Sequence, residues 1–457
     1  MLGFEKAGHN GLIHDLRWLT ISHRSRECLE HFYIKRFLAS PILALSPSRN
    51  FPSFCRYNKH LATLSFLEAR ECVLSSLSGA PKISETELVS IEGSAGRILA
   101  EPIVADRDYP PLARSVRDGF AVRASDVPGA LDLIGEVRAG ERFHSELQAR
   151  QAIEIMTGAP VPAGANAVVM VEHATVAGEK IATDRGAYPG ENISPQASEA
   201  RAGEVILTPG IRLDYAAIGV LAMVGRGQVS VYRQPQVAIL ATGDEIVDGP
   251  LPVLDHQIRN TNSWVLAAQV ARAGGAPVVL PVARDLYSDT RELIERGLRF
   301  DLLLLSGGVS AGKYDIVERV LADLGAEFLF DRVRIQPGQP LVFGRVDRKY
   351  FFGLPGNPGS TLITFEVFAR AAVELLGRQS QVRLPFFACR LTQEFRQKAG
   401  LTRFLPAFLS ADGAQVTPAP SSGSGDLSAL ARADGFLVTD PERTEWAAGD
   451  SIRVLLK

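Results

Sequence analysis

The sequence predicts a fold that combines an α/β domain with separate β domains. Strand-like and helix-like segments alternate over residues 236–377, which is typical of an open, mostly parallel sheet covered by helices. Short apolar runs separated by glycine and proline precede this stretch, over residues 131–183, and predict a small β domain. After residue 384 only short strand-like segments follow, so we expect a further β domain there.

Apolar residues at helical or alternating spacing place the individual elements. Before the α/β stretch they predict helices over 65–77, 84–96 and 214–224, and strands over 131–137, 152–156, 167–171, 180–183 and 227–232. Within it they predict strands over 237–241, 276–282 and 302–305, and helices over 263–273, 289–298 and 315–324, with a capping box of Asp289 and Glu292. After it they predict strands over 387–391, 404–409, 436–439 and 451–455.

Composition narrows the class of protein. The 457 residues suffice for about three domains at about 150 residues each. A net charge of -2 gives no overall electrostatic attraction to nucleic acid or an anionic membrane, and no apolar run reaches the roughly 18 residues that span a bilayer. Four cysteines without a CxxC pair argue against a disulfide framework or a zinc site and favour a reducing cytoplasm.

The first residues differ from the rest of the chain because they are basic and rich in histidine. We interpret residues 1–62 as an N-terminal extension that is either disordered or translated from a misplaced start. A transit peptide and a basic arm are the alternatives.

Two glycine-containing loops follow strands of the predicted sheet, and a third opens a predicted helix that ends near residue 376. Ligands of such sheets bind beyond the carboxyl ends of the strands. The residues of the three loops are Thr242, Gly243, Asp244 and Glu245, then Ser306, Gly307, Gly308, Val309 and Ser310, and then the loop 353–358 with Gly356, Asn357 and Pro358. Glycine lets backbone N–H groups approach an anion, and helix N-termini favour negative charge. One such loop alone would be an ordinary strand-to-helix turn, but three together predict a phosphate or oxyanion site.

The glycine loop also fits the first part of a P-loop, because residues 307–313 read GxxxxGK. The next residue is Tyr314 rather than the serine or threonine that binds magnesium. We therefore reject a nucleoside-triphosphatase.

Four carboxylates, Asp244, Glu245, Asp285 and Asp315, lie at the same loop positions. Hard divalent cations such as Mg²⁺ bind one or two carboxylates together with substrate phosphates, so these residues are candidate ligands. Asp315 has an equal claim to be the N-cap of its helix. Neither a GxSxG nor an HExxH motif is present, which argues against covalent catalysis and favours positioning and electrostatics.

Five motifs in order resemble those of molybdopterin molybdenumtransferases and of the gephyrin E domain. They are RSVRDGFAVR (114–123), MTGAPVP (156–162), TGDE (242–245), SGGVS (306–310) and GLPGNP (353–358). The resemblance extends over residues 64–457.

The resemblance implies an enzyme of molybdenum cofactor biosynthesis that inserts molybdate into adenylylated molybdopterin and releases AMP with the help of Mg²⁺. It also implies a cytoplasmic homodimer that has contact with the molybdopterin adenylyltransferase, does not bind nucleic acid and is not in a membrane. The implied domains are a linker domain (63–111 and 199–233), a small β domain (112–198), a three-layer α/β domain (234–380) and a C-terminal β-barrel (381–457).

Family roles carry over to matching positions. The implied catalytic residues are Asp118, Thr157, Glu245, Asp285 and Asp315, of which Glu245, Asp285 and Asp315 would organise the cation. The implied substrate-binding residues are Thr242, Gly243, Asp244, Ser306, Gly307, Gly308, Val309, Ser310, Pro337, Gly338, Gly356, Asn357 and Pro358. Asp118 and Thr157 would complete the cleft from the small β domain of the same or the other subunit.

One motif departs from the family. Where many members have KPGKP, this chain has QPGQP over residues 336–340, so Gln336 and Gln339 replace two cations by neutral amides. Arg403 lies near a position where relatives carry arginine, and the other bases Lys313, Arg332 and Arg334 are candidates to compensate for the lost charge. The loss also motivates one alternative, a non-catalytic dimeric scaffold that binds partner peptides. A further alternative is another nucleotide-processing enzyme built on the same α/β domain.

Overall fold

The computed structural model describes residues 61–250, 252–308 and 316–457. Everything below belongs to the unit Arg56–Lys457. The predicted N-terminal extension and the predicted site residues Val309, Ser310 and Asp315 lie outside the described residues.

Two separate segments share one core near the start of the described chain. The first segment contains β1 (Thr86–Ser90) and β2 (Ile103–Val104), and the second, after the small β domain, contains β11 (Val205–Leu207), α2 (Tyr215–Met223) and β12 (Gln228–Tyr232). The helix α1 (Phe66–Ser78) precedes them and packs in a different core. β1 pairs with β12 and β2 with β11, and Leu99, Leu213 and Val229 pack together between them. The domain boundaries themselves remain predictions.

The predicted helix over 84–96 is wrong, because β1 occupies this stretch. Leu88 and Ile91 have helical spacing, but Leu88 is 65% exposed while Val89 packs against the core. Pairing with β12 therefore stabilises an extended chain here rather than a helix. The predicted helix α1 is confirmed and begins at Ser65, whose Oγ accepts from the N–H of Glu68 while its own N–H donates to the Glu68 carboxylate.

The segment between these two parts forms a β domain. Its strands are β3 (Arg114–Ser115), β4 (Gly119–Val122), β5 (Gly129–Val137), β6 (Gln151–Ile155), β7 (Ala167–Met170), β8 (Ala174–Ala177), β9 (Lys180–Thr183) and β10 (Ile193–Ser194), with short 3₁₀ helices at Ala124–Asp126 and Val171–His173. Six of these described strands form one mixed sheet in the order β7-β4-β6-β5-β9-β8. Phe120 and Ala121 point to opposite faces of β4, and each face has its own apolar core.

The next stretch alternates strands and helices as predicted. It contains β13 (Gln236–Ala241), β14 (Ile246–Val247), β15 (Ile258–Arg259), α3 (Asn262–Arg272), β16 (Ala276–Val279), α4 (Tyr287–Gly297), β17 (Leu302–Ser306), α5 (Ile316–Asp323), β18 (Glu327–Arg332), β19 (Ile335–Gln336), β20 (Pro340–Val346), β21 (Lys349–Leu354), α6 (Pro358–Thr364), a π-helical turn (Phe365–Ala369) and α7 (Arg370–Leu376).

The described sheet of this stretch has the strand order β16-β13-β17-β21-β20-β18. The first four strands pair in parallel. At one edge, β20 pairs antiparallel with β21, and β18 pairs antiparallel with β20. Alternate residues of β13 enter different cores: Val237 packs with residues of α1, α3 and α6, and Ala238 with residues of α4 and α5. The predicted capping box of Asp289 and Glu292 is wrong, because α4 begins two residues earlier, after Leu286, without a side-chain cap.

The predicted C-terminal barrel is confirmed. The segment contains β22 (Phe386–Leu391), β23 (Phe395–Arg396), β24 (Thr402–Leu409), β25 (Gln415–Pro418), α8 (Leu427–Arg432), β26 (Gly435–Val438), β27 (Glu445–Trp446) and β28 (Ser451–Leu456). Within it, β24, β25, β22, β28 and β26 pair in this order, and β26 pairs back onto β24 to close the ring. β19 joins β24 in a short parallel pair, which ties the barrel to the α/β stretch. None of the described helices is both long and apolar enough to cross a membrane.

Candidate functional site

The carboxyl ends of three parallel strands open into one cavity of about 460 Å³. Ala241 of β13 is in register with Ser306 of β17, and Ser306 with Leu354 of β21, so the loops that follow start side by side. The predicted site residues that line the cavity are Thr242, Glu245, Ser306, Gly307, Gly308, Gly356, Asn357 and Pro358. The sheet therefore brings the three predicted loops together.

The first loop turns sharply at Gly243, whose φ is +142°. A methyl group at this position would lie 2.5 Å from Oε2 of Glu245, so the Glu245 carboxylate folds back over the glycine. The N–H groups of Thr242 and Gly243 donate to the carbonyl oxygens of Ser306 and Ala283, at 3.2 and 3.1 Å. These bonds fix the loop against both neighbouring strands and hold Glu245 at the cavity wall.

The glycine loop packs directly on the first loop. Gly307 and Gly308 have φ values of +90° and +63°. Methyl groups on them would lie 2.9 Å from the Thr242 carbonyl oxygen and 2.8 Å from Thr242 Oγ1. Thr242 Oγ1 is itself buried without a hydrogen-bond partner among the described residues. Only glycine fits here, and the close approach leaves a floor of main chain and hydroxyl groups.

The third loop leads into α6 through Pro358, which occupies the first helical position. A methyl group on Gly356 would lie 3.7 Å from the Gly307 Cα, so the two glycine loops lie against each other. The N–H of Gly359 donates to the Ser424 carbonyl oxygen at 2.7 Å, and Asn357 Nδ2 donates to Ser424 Oγ at 3.1 Å. The predicted anion-binding N-terminus of α6 therefore already gives one N–H to the C-terminal segment.

Sequence reasoning missed Asn262, which joins two of the loops. Its Nδ2 donates to Ser306 Oγ at 2.8 Å and to the Gly356 carbonyl oxygen at 2.7 Å. Asn260, also at the cavity, lies just before the N-cap residue of α3 and accepts from the N–H of Ser263 in its first turn at 3.1 Å. The RNTN run before α3 was the available signal, since asparagine is favoured at helix N-termini.

The acidic candidates divide between the cavity and its edge. Glu245 lines the cavity, whereas Asp244 and Asp285 are exposed and joined by a bond from the Asp285 N–H to Asp244 Oδ1 at 3.1 Å. Among the described residues, no three acidic, histidine or cysteine side chains are grouped so as to hold a metal ion. Because Asp315 lies outside these residues, the cation set Glu245, Asp285 and Asp315 stays a prediction. The oxygen donors are of the kind that Mg²⁺ prefers.

Asp118 and Thr157 meet at the end of the small β domain. The Thr157 N–H and Oγ1 both donate to Asp118 Oδ1, at 2.6 and 2.7 Å. These two bonds, the main-chain one first, hold the pKa of Asp118 below its ordinary value. Neither residue is among those that line the cavity. The structure thus brings the two predicted residues together but places them apart from the cavity lining.

The QPGQP turn lies beside the cavity and is linked to the barrel. Of its residues, Pro340 lines the cavity, while Gly338 is buried with φ +104° against Thr364 of α6. Arg403 Nε donates to Gln336 Oε1 at 2.8 Å, and loss of solvent lowers the pKa of Arg403. An amide accepts this bond, whereas a lysine at 336 would face the guanidinium with a like charge.

The other basic candidates are less well placed. Arg332 is exposed, and the Arg334 guanidinium lies 3.9 Å from the Glu68 carboxylate on α1. Lys313 lies outside the described residues. Of the candidates to compensate for the missing lysines, Arg403 therefore has the direct contact with the altered turn.

Three family models match consecutive parts of the chain. They are the MoeA N-terminal region (domain I and II) over residues 64–225, the "Probable molybdopterin binding domain" over 238–375, and the MoeA C-terminal region (domain IV) over 388–457. The cavity loops fall within the second match and Asp118 and Thr157 within the first.

Several relatives that match most of the chain share one name. A molybdopterin molybdenumtransferase of Bacillus subtilis (strain 168) is 33% identical over 394 residues, which is 82% of this chain and 90% of that protein. The chain belongs to the molybdopterin molybdenumtransferase family. A molybdopterin molybdenumtransferase of Staphylococcus aureus (strain COL) is 32% identical over 400 residues, or 85% of this chain and 94% of that one.

A solved structure of the family has the same fold. The molybdopterin biosynthesis moeA protein from Pyrococcus horikoshii OT3 matches with a TM-score of 0.71 at 27% identity, over 87% of this chain and 100% of that chain. Membership in the molybdopterin molybdenumtransferases gives this chain a transferase role in molybdenum cofactor biosynthesis.

Proposed function

We propose that this transferase inserts molybdate into adenylylated molybdopterin at the cavity formed by the three loops and releases AMP. The observation that carries the proposal is the convergence of Gly307, Gly308 and Gly356 on one floor. Because side chains are absent from these positions, phosphate oxygens can approach the main chain closely. The cavity is also of the size that small-molecule substrates occupy.

The reaction balances without a further reagent. Molybdate exchanges two oxo groups for the two dithiolene sulphurs, and these oxygens leave as water with protons from the thiols and the solvent. One water cleaves the phosphoanhydride to give AMP and molybdopterin phosphate. The net products are therefore the molybdenum cofactor, AMP and one water.

The chain's own residues bind and orient the substrates in this scheme. Asn262 holds the glycine loop and the Gly356 loop at a fixed separation. Arg403, oriented by Gln336, supplies positive charge that offsets the repulsion between molybdate and the phosphates. Glu245 and Asp285, with Asp315, would hold a Mg²⁺ ion, which supplies further charge neutralisation when bound.

The Asp118–Thr157 pair belongs to the same site in our proposal, contributed by the partner subunit of a homodimer. Both bonds from Thr157 go to Oδ1 of Asp118, so the other carboxylate oxygen, Oδ2, accepts neither of them. We further propose that the chain receives its substrate from the molybdopterin adenylyltransferase, since a reactive anhydride is protected by direct transfer.

The test is an AMP-release assay with adenylylated molybdopterin, molybdate and MgCl₂. We expect AMP in proportion to the cofactor formed, and none without molybdate. Failure to release AMP, while the B. subtilis relative is active in the same assay, would contradict the proposal. Parallel reactions with tungstate measure the oxyanion preference.

The second candidate is a non-catalytic scaffold that binds partner peptides, which the two glutamines of QPGQP favour. The bond from Arg403 to Gln336 weighs against it, because a cation is still held at this turn. A purified protein that binds a defined peptide but no pterin would support the scaffold.

A further inference from the structure

The Lys457 side chain closes the C-terminal end of α8. Its Nζ donates to the carbonyl oxygens of Leu430, Ala431 and Ala433 at 3.0, 2.9 and 2.7 Å. An ammonium group has three donors, and each of them here reaches a carbonyl that the helix end leaves without an intrahelical partner. The positive charge also suits the negative end of the helix. One side chain therefore fixes α8 to the end of β28.

The loop before α8 is tied to the same helix. Asp426 caps α8 by accepting from the N–H of Ala429 at 3.0 Å. Its other oxygen accepts from the N–H and the Oγ of Ser422, both at 3.1 Å. Ser424 lies between these two anchors, so its position follows that of α8.

Ser424 and α8 press against the start of α6 at the cavity. A methyl group on Gly359 would lie 2.7 Å from the Ser424 carbonyl oxygen and 3.0 Å from Leu430 Cδ1. The close approach explains why glycine follows Pro358, and it allows the bond from the Gly359 N–H to Ser424. The barrel segment thus supplies the cap of α6.

This cap replaces the usual one. Asn357 is the N-cap residue of α6, where an asparagine side chain normally accepts from the N–H two or three residues ahead. Asn357 makes no such bond, and its Nδ2 donates to Ser424 Oγ instead. The Gly359 N–H therefore has two competing acceptors, the Ser424 carbonyl oxygen and Asn357 Oδ1. If Ser424 moved away, Asn357 could cap its own helix.

We propose that Lys457 is a positioning residue for substrate binding, because it keeps α8 and Ser424 where they release Asn357 from capping α6. The inference rests on the proposed function, in which the cavity lined by Asn357 binds the pterin nucleotide. A protein without this restraint spends part of its time with Asn357 turned onto Gly359. Its apparent affinity falls by the fraction of molecules still competent to bind.

The test compares Lys457→Met with the wild-type protein by AMP release. We expect KM for adenylylated molybdopterin to rise by up to about 5-fold, the limit set by the typical effect of losing a cation at a helix C-terminus, with kcat within about twofold. Lys457→Arg should return KM most of the way to its wild-type value. The matched control is Lys180→Met, at an exposed side chain of β9 in the small β domain, which should leave both constants unchanged.

Amide hydrogen exchange provides a readout that does not depend on activity. In Lys457→Met we expect faster exchange over residues 421–433. We also expect faster exchange at the Gly359 amide, whose hydrogen bond opens each time it passes between the Ser424 carbonyl oxygen and Asn357. A lower melting temperature with unchanged KM and unchanged exchange at Gly359 would reduce Lys457 to a purely structural cap and overturn the inference. If the wild-type protein releases no AMP, the proposed function has failed, and exchange at Gly359 alone decides whether Lys457 controls the cap of α6.

Discussion

The cavity and the Asp118–Thr157 pair contrast in how the chain assembles them. The cavity comes from three loops whose strands are adjacent in one sheet, so strand register alone brings Thr242, Gly307 and Gly356 together. The pair lies in a different domain and is joined by two short bonds of its own. Sheet topology thus fixes one half of the proposed site within a chain, while the position of the other half depends on how whole domains or subunits meet.

We expect the largest effect from a substitution at Gly307, because neighbouring atoms in the cavity floor leave no room for a side chain there. Gly307→Ala adds a methyl group 2.9 Å from the Thr242 carbonyl oxygen, at a φ of +90°. We expect a loss of about 2–4 kcal/mol in unfolding free energy, measured in urea, and the loss of AMP release.

The control is Gly325→Ala. Gly325 also has a positive φ, +78°, but a methyl group there meets no atom within 4 Å. Only the backbone strain of about 1 kcal/mol should appear, with activity retained. Equal effects of both variants would mean that the close packing of the floor is unimportant.

The second prediction tests whether the two halves of the site come from different subunits. Asp118→Ala and Glu245→Ala should each lower AMP release about 100-fold or more, with little change in stability, since both side chains are exposed. Mixed dimers of the two variants would contain one intact site. Subunit exchange should therefore restore about a quarter of the wild-type activity.

The readout is activity after co-refolding the two variants in equal amounts. Co-refolding each variant with itself is the control. Activity that stays at the level of the single variants would place both halves in one subunit and contradict the shared site.

Sequence reasoning succeeded where local rules apply. The strands β13 and β17, the loops after them and the helix α1 follow from apolar spacing and turn residues, whereas β21 and the Ser65 cap were not predicted. It failed at β1, where pairing with β12 overrode helical spacing, and at α4, where tertiary packing set the start. Asn262 was missed because its role depends on Ser306 and Gly356, which are distant in sequence.

The third prediction concerns the charge beside the cavity. Arg403→Gln removes the cation bonded to Gln336, and we expect KM for molybdate to rise about tenfold, as for the loss of one charge-assisted hydrogen bond. Gln336→Lys should not improve molybdate binding, because the new ammonium would face the Arg403 guanidinium. Arg334→Gln, which alters an arginine 3.9 Å from Glu68, is the control. If KM for molybdate is unchanged in Arg403→Gln, then Lys313 or Arg332, rather than Arg403, compensates for the missing lysines.

The smallest expected effect is a pH shift at the Asp118–Thr157 pair. The Thr157 main-chain N–H and hydroxyl both stabilise the ionised Asp118 and lower its pKa. Any stability that this pair adds is therefore complete above the unfolded pKa of an aspartate and is lost as the pH falls through the lower folded pKa. Thr157→Val removes only the hydroxyl bond, so the pKa of Asp118 should rise part of the way toward its ordinary value. Carboxyl ¹³C NMR follows this titration, and Thr175→Val, on the exposed face of β8, serves as the control.

Because the cavity loops do not contact the pair, the acid side of the pH profile of AMP release should move only if Asp118 takes part in the reaction as an anion. A shifted NMR titration with an unmoved activity profile would separate the pair from the chemistry and leave it a positioning device of the small β domain.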